Sequence, residues 1–208
     1  MKLSAKPGKG DKIHIFVDDE YRLTVDSRFW YSERWHNQTQ IDSGELAALE
    51  EAVGSRRAFN SAEDYLSRRD HSEKELYEKL CRKYPPAAAE TAIEKAKDLG
   101  LLDDERFAAN YAAELYEKKH FASRRILLEL RRKGIDREIA ENAVEGLDKV
   151  GETRIIELLR GKYRAAFSDE KSRRRAVNAL LRMGYAYTEI RAALETLEQE
   201  FEELDTDG

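Results

Sequence analysis

Of 208 residues, one is cysteine, two are methionine and three are proline. The lone Cys81 excludes an intramolecular disulfide framework and any CxxC metal site. The four histidines, His14, His36, His71 and His120, show neither HxxxH nor HExxH spacing, so no metal site is expected. No apolar run approaches the roughly 18 residues that a membrane-spanning helix needs. The start, Met1-Lys2-Leu3, leads into Lys6-Pro7-Gly8-Lys9 rather than an apolar core, so no signal peptide is expected and the cytoplasm is the expected location. Lys6 to Gly10 also lacks the spacing of a phosphate loop and reads as a flexible terminus. Nothing pairs a nucleophile with its base. No catalytic residue, cofactor or enzyme activity is expected.

Excess positive charge is also missing. The net charge is -5 and the isoelectric point about 5.6, whereas dedicated nucleic-acid binders usually lie above about 9. The mean hides an asymmetry. Lys118 to Arg137 holds eight Lys/Arg against Glu129 and Asp136, and the tail from Glu195 to Gly208 has acids but no base.

What the chain does have is a repeat. Leu76, Leu80 and Tyr84 recur as Ile126, Leu130 and Gly134, then as Ala176, Leu180 and Gly184. The step of about fifty residues is the range of repeat arrays, and each copy sets an apolar i, i+4 pair on a helical pattern. With 41% hydrophobic and 38% charged residues, charge is too dense for one compact core and too patterned for disorder. The expected fold is mainly α: an elongated array of three tandem three-helix repeats, each burying one stripe against its neighbours. A small N-terminal extension, residues 1–58, precedes repeats at 59–101, 102–149 and 150–208, the last with the acidic tail. The chain is expected to be monomeric.

In the extension, Lys12 to Val17 and Tyr21 to Val25 read as a two-stranded hairpin around Asp18-Asp19-Glu20. Trp30 and Trp35 are expected to pack against it. Asp42 with Glu45 forms a capping box. Ser61 with Asp64 suggests the start of the first repeat, and Ser72 with Glu75 gives the cleanest capping box of the chain. Pro85-Pro86 stops that helix. Asp103 reads as an N-cap with Asp104 and Glu105 in the dipole-favoured first turn. Asp136 caps the last helix of repeat two, Gly134 and Gly184 end middle helices, and Thr188 reads as the cap of the final helix. Beyond Leu204 the tail is expected to fray.

Ser72-x-x-Glu75-Leu76-x-x-Lys79-Leu80, Leu102-Asp103-Asp104-Glu105-Arg106-Phe107-Ala108 and Arg125-Ile126-x-x-Glu129-Leu130-x-x-Lys133-Gly134-Ile135 together resemble the RecX family of recombination regulators. Leu180-Leu181-Arg182-Met183-Gly184-Tyr185 is similar to that family's last signature, with Tyr for its usual Phe. The resemblance covers about residues 60 to 200. It implies a row of three-helix units that lodges in the groove of the RecA–single-stranded DNA filament. It also implies inhibition of the filament's ATPase, strand-exchange and co-protease activities. Adjacent carboxylates such as Asp103-Asp104 can hold a metal or act as an acid/base pair, but their position before a helix favours capping, with a hydrogen-bonding role at the junction between units as the main alternative.

A helical wheel separates the faces of the middle helices. Ile126, Leu127 and Leu130 point inward in repeat two, while Arg124, Arg125 and Arg132 point away with Leu128 among them. In repeat three Arg174, Arg175 and Arg182 point away from Val177 and Leu180. One reading is a solvated face. The other is contact with a partner, where an apolar residue inside an arginine cluster anchors an interface. That partner is the RecA filament if the resemblance holds. Alternatively, the stripe binds DNA directly, single-stranded DNA included.

Overall fold

The computed structural model describes residues 1–145, 147 and 151–206, without the side chains of 151, 152 and 203–206. The expected junction at 149/150 therefore lies outside the described residues. The chain divides into two compact units, Met1–Asp103 and Asp104–Gly208. It is mainly helical, with one small sheet at the N-terminus.

That sheet has three antiparallel strands, not two: β1 (Leu3–Pro7), β2 (Lys12–Val17) and β3 (Glu20–Asp26), in that order. Asp18 and Asp19 both take positive φ, +50° and +66°, the geometry of a two-residue hairpin turn. The extra strand corrects the expectation of a flexible terminus. Lys6 and Pro7 pair with His14 and Ile13, and Asp18 N–H donates to the Lys2 carbonyl at 2.8 Å. Backbone bonds, which leave no side-chain signature, place β1. Ile13, Ile15 and Val17 alternate into a core with Leu23, Trp30 and Trp35.

Helix α1 (Ser27–Ser32) and a 3-10 turn (Arg34–Asn37) connect the sheet to α2 (Ser43–Leu66). Asp42 and Glu45 form the full reciprocal capping box of α2. No break occurs at Ser61, which corrects its assignment as a helix start. Ser61 Oγ instead meets the Tyr84 hydroxyl at 2.8 Å, and no glycine or proline interrupts the helix near it. One half of α2 buries Leu49 and Val53 in the sheet core. The other half buries Ala58, Phe59 and Ala62 against α3 (Glu73–Cys81) and α4 (Pro86–Asp98). Ser72 Oγ accepts the Glu75 N–H at 3.2 Å at the start of α3, and Pro86 takes the first turn of α4.

Unit 2 contains α5 (Asp104–Lys119), α6 (Ser123–Arg132), α7 (Arg137–Val144), α8 (Gly151–Arg160), a 3-10 turn (Arg164–Phe167), α9 (Glu170–Met183) and α10 (Tyr187–Thr206). Asp104 and Glu105 occupy the first turn of α5, directly after Asp103. Asp136 accepts the Glu138 N–H at 2.8 Å to cap α7. Thr188 lies inside α10 rather than capping it; Ala186 N–H, just ahead of the helix, donates to the Glu189 carboxylate at 2.7 Å. Helix α10 continues to Thr206, past the point where fraying is expected to begin, and the last two residues lie outside the described residues.

The glycine stops share one geometry. Gly134 and Gly184 have φ of +84° and +99°. Ile135 N–H reaches back to Leu130 O at 3.1 Å and Tyr185 N–H to Leu180 O at 3.3 Å. The glycine N–H groups bond Arg131 O and Leu181 O, each at 3.0 Å. This is the Schellman ending, which satisfies carbonyls that the last helical turn leaves bare.

Candidate functional site

Within unit 2 the end of α9 is seated on the start of α6. Ala122, the N-cap residue of α6, offers no side-chain cap, but its N–H donates to the Met183 carbonyl at 2.9 Å. Gly184 lies so close that a Cβ there would stand 2.6 Å from Arg125 Cβ and 2.9 Å from Arg125 N. The next residue, Tyr185, is buried, and its hydroxyl donates to the His120 carbonyl at 3.1 Å.

His120 is itself held in place. It takes φ +56°, an uncommon conformation for a non-glycine residue. Arg154 of α8 donates to the Tyr116 carbonyl at 2.7 Å and reaches His120 Nδ1 at 3.1 Å. The guanidinium lies 4.0 Å from the Tyr116 ring centroid. Burial first, then the nearby Arg154 and Lys162 charges, lower the His120 pKa. The ring is therefore neutral at neutral pH and its Nδ1 accepts.

These contacts open a cleft of about 400 Å³ between α6 and the α9–α10 turn. Arg124, Arg125 and Leu128 line one side, and Leu181, Arg182 and Tyr187 the other. Leu128 is 46% exposed, Leu181 40% and Tyr187 60%. Among the described residues no carboxylate lines the cleft. Large apolar side chains left in water and rimmed by cations mark an interaction surface.

Of the seven residues singled out for partner contact, the cleft gathers four: Arg124, Arg125, Leu128 and Arg182. Arg125 is partly committed, since it pairs with Glu129 at 2.5 Å and lies over the Phe121 ring. Arg132 pairs with the same Glu129 at 3.0 Å, and Arg174 with Glu170 at 3.0 Å. Arg132, Arg174 and Arg175 do not line the cleft. Arg124 and Arg182 have no ion pair or hydrogen bond to their side chains among the described residues. Sequence reasoning missed Leu181 and Tyr187. A signal existed for the first: Leu180 and Leu181 are adjacent on a helix, so both cannot face inward.

Asp103 and Asp104 gather no metal-binding set. Among the described residues no group of three or more His, Cys, Asp or Glu side chains could hold a metal ion. No helix among them is long and apolar enough to cross a membrane.

Comparisons with known proteins point one way. The family models described as "RecX, first three-helix domain" and "RecX, second three-helix domain" match residues 58–95 and 103–144. The "Regulatory protein RecX" of Bacillus subtilis (strain 168) is 29% identical over 210 residues, covering 97% of this chain and 78% of that protein. The protein of the same name from Clostridioides difficile (strain 630) is 26% identical over 207 residues, covering 98% and 97%. A "Crystal structure of regulatory protein RecX" superposes with a TM-score of 0.75 at 20% identity, over 93% of this chain and 98% of that one. A "Crystal structure of RecX from Lactobacillus salivarius" gives a TM-score of 0.62 at 26% identity, over 71% and 99%.

Proposed function

We propose that this chain, which belongs to the RecX family, is a non-enzymatic regulator of RecA. It binds the RecA–single-stranded DNA filament and inhibits ATPase, strand-exchange and co-protease activities. The observation that supports the reading is the cleft in unit 2. Arg124 and Arg182 line it together with exposed Leu128, Leu181 and Tyr187, with no acid among the described lining residues to neutralise them. Arginine beside an apolar anchor is the composition of energetically dominant interface residues. Direct DNA binding through a long basic stripe has less support, because Arg132 and Arg174 are paired to carboxylates on their own helices.

The test is the DNA-dependent ATPase of RecA, with this chain added well below RecA stoichiometry. The wild-type chain inhibits. The Arg124→Glu/Arg182→Glu variant keeps its helical circular dichroism and loses most of the inhibition. Arg132→Glu/Arg174→Glu, an equal change of charge outside the cleft, keeps most of it. Full inhibition by a folded Arg124→Glu/Arg182→Glu chain removes the cleft from the mechanism. Tight, steeply salt-dependent binding of single-stranded DNA without RecA favours the DNA reading instead.

A further inference from the structure

Unit 1 holds a separate cavity of about 470 Å³, bounded by the β1–β2 turn, β3 and α2. Its floor is apolar, made by Val25, Phe29 and Val53, all buried. Its rim is basic. Lys9 and Lys12 stand on either side of Gly10, whose φ of +68° makes the turn, and Arg56 and Arg57 reach in from α2. Asp11 and Asp26 are the carboxylates of the lining. Four cations against two carboxylates leave an excess of two positive charges.

The charges offset one another only in part: Arg56 is ion-paired with Asp26, and Lys9 and Lys12 line the cavity beside them. Asp26 accepts the Phe29 N–H at 2.7 Å as the cap of α1. Its other oxygen stands 3.5 Å from Arg56 Nε, which is buried and makes no hydrogen bond among the described residues. The Arg56 side chain is only 27% exposed. Arg57 is fixed at the wall by donating to the Thr24 carbonyl at 2.7 Å. The Lys9 and Lys12 ammonium groups have no partner among the described residues. A guanidinium has five N–H donors, so Arg56, ion-paired to Asp26 through Nε alone, keeps donors for a further acceptor.

We propose that this cavity binds a phosphate-bearing ligand of nucleotide size. The phosphoryl oxygens accept from Arg56, Lys9 and Lys12, and the apolar floor takes the ring. Guanidinium presents a donor fork matched to phosphate. The volume falls in the range of small-ligand pockets, which combine an apolar lining with a few placed polar groups. The same chemistry serves a free nucleotide and one nucleotide unit of a single strand. The site is independent of the cleft in unit 2, so either can fail alone.

Amide chemical shifts of the full-length chain read the site. The probes are inorganic phosphate, adenosine monophosphate and a short thymidine oligonucleotide. Saturable shifts are expected at Thr24, Val25, Phe29 and Arg56. A response to the monophosphate alone assigns the site to free nucleotides, and a response to the oligonucleotide alone assigns it to a strand; both support the proposal. Lys9→Ala/Lys12→Ala, at exposed positions that leave the Trp30 and Trp35 indole signals in place, binds about tenfold or more weakly, the loss expected for one or two charge-assisted hydrogen bonds. Lys74→Ala, an exposed lysine on α3, binds as wild type. The proposal is overturned if neither nucleotide probe saturates, if inorganic phosphate binds as tightly as both, or if Lys74→Ala weakens binding as much as the double variant.

Discussion

Gly184→Ala tests the junction that builds the cleft, because two separate costs meet at one atom. Gly184 has φ +99°, and an L-residue in left-handed backbone costs about 1–2 kcal/mol. Its new Cβ would also stand 2.9 Å from Arg125 N and 2.6 Å from Arg125 Cβ. Neither neighbour is the far end of a flexible side chain, so α6 and the α9 end must separate. Overpacking of this kind costs about 1–3 kcal/mol, giving a sum of roughly 2–5 kcal/mol. Gly10→Ala isolates the first cost, since Gly10 has φ +68° and nothing lies within 4 Å of where its methyl group would stand. Urea unfolding followed by circular dichroism, with the Trp30 and Trp35 fluorescence separating unit 1 from the helical total, gives the two values. Gly184→Ala is expected to lose clearly more stability than Gly10→Ala, and to lose RecA inhibition at temperatures where it remains folded. Equal losses would refute the close contact between the α9 end and α6.

Ser72→Ala removes the side-chain cap of α3 and is expected to lower stability by about 0.5–2 kcal/mol, read from the urea midpoint. Leu128→Asp replaces an exposed side chain; the thermal midpoint should hardly move while RecA inhibition weakens, and a large stability loss would place Leu128 in the core instead. Association with RecA filaments, followed by stopped-flow fluorescence, is expected to slow as salt rises; a salt-independent rate constant would exclude steering by Arg124 and Arg182. His71 is buried, accepts from the Lys79 ammonium at 2.9 Å on Nε2, and therefore donates from Nδ1 to the Arg69 carbonyl, also at 2.9 Å. Burial is the main cause of its lowered pKa, so below about pH 6.5 the unfolded chain takes up a proton that the folded chain refuses, and stability falls as pH drops toward the folded value. Between pH 7.5 and 5.5 the urea midpoint should fall further in wild type than in His71→Gln.

The features legible in the sequence are those encoded locally. Apolar i, i+4 pairs such as Ile126 and Leu130 locate the buried helix faces, and Gly134 and Gly184 locate helix ends, because periodicity and left-handed backbone both leave a mark on residue type. Strand β1 leaves little mark. Leu3 is its one buried apolar residue, and its place comes from backbone bonds to β2. Ser61 misleads for the opposite reason. Its capping-box spacing is real, but a cap forms only where the preceding backbone leaves the helix, and α2 continues through it. The arginines are half legible. Glu129 lies four residues from Arg125 and three from Arg132, and Glu170 four from Arg174, spacings that favour pairing on a helix. Which of the remaining cations share a cleft depends on how α9 ends against α6, and no single helix wheel contains that information.

The same turn that terminates α9 also sets the spacing of the cleft, which ties stability and recognition together. Arg182 lies two residues before Gly184 and Tyr187 three after it, while Arg125 sits directly against the glycine. A longer side chain at 184 would therefore widen the gap between Arg182 and Arg124 even with Arg124, Leu128, Leu181, Arg182 and Tyr187 all retained. Tyr185 acts in the same direction: its hydroxyl on His120 fixes the segment that leads into α6. Holding cations and apolar anchors on helix ends fixed by backbone contacts reduces the ordering cost of binding. The intrahelical pairs of Arg132 and Arg174 do not serve that end, since neither residue lines the cleft. On the proposed reading a partner meets what the α6–α9 junction brings together, and Gly184→Ala is expected to weaken recognition by displacing Arg182 and Tyr187 from Arg124.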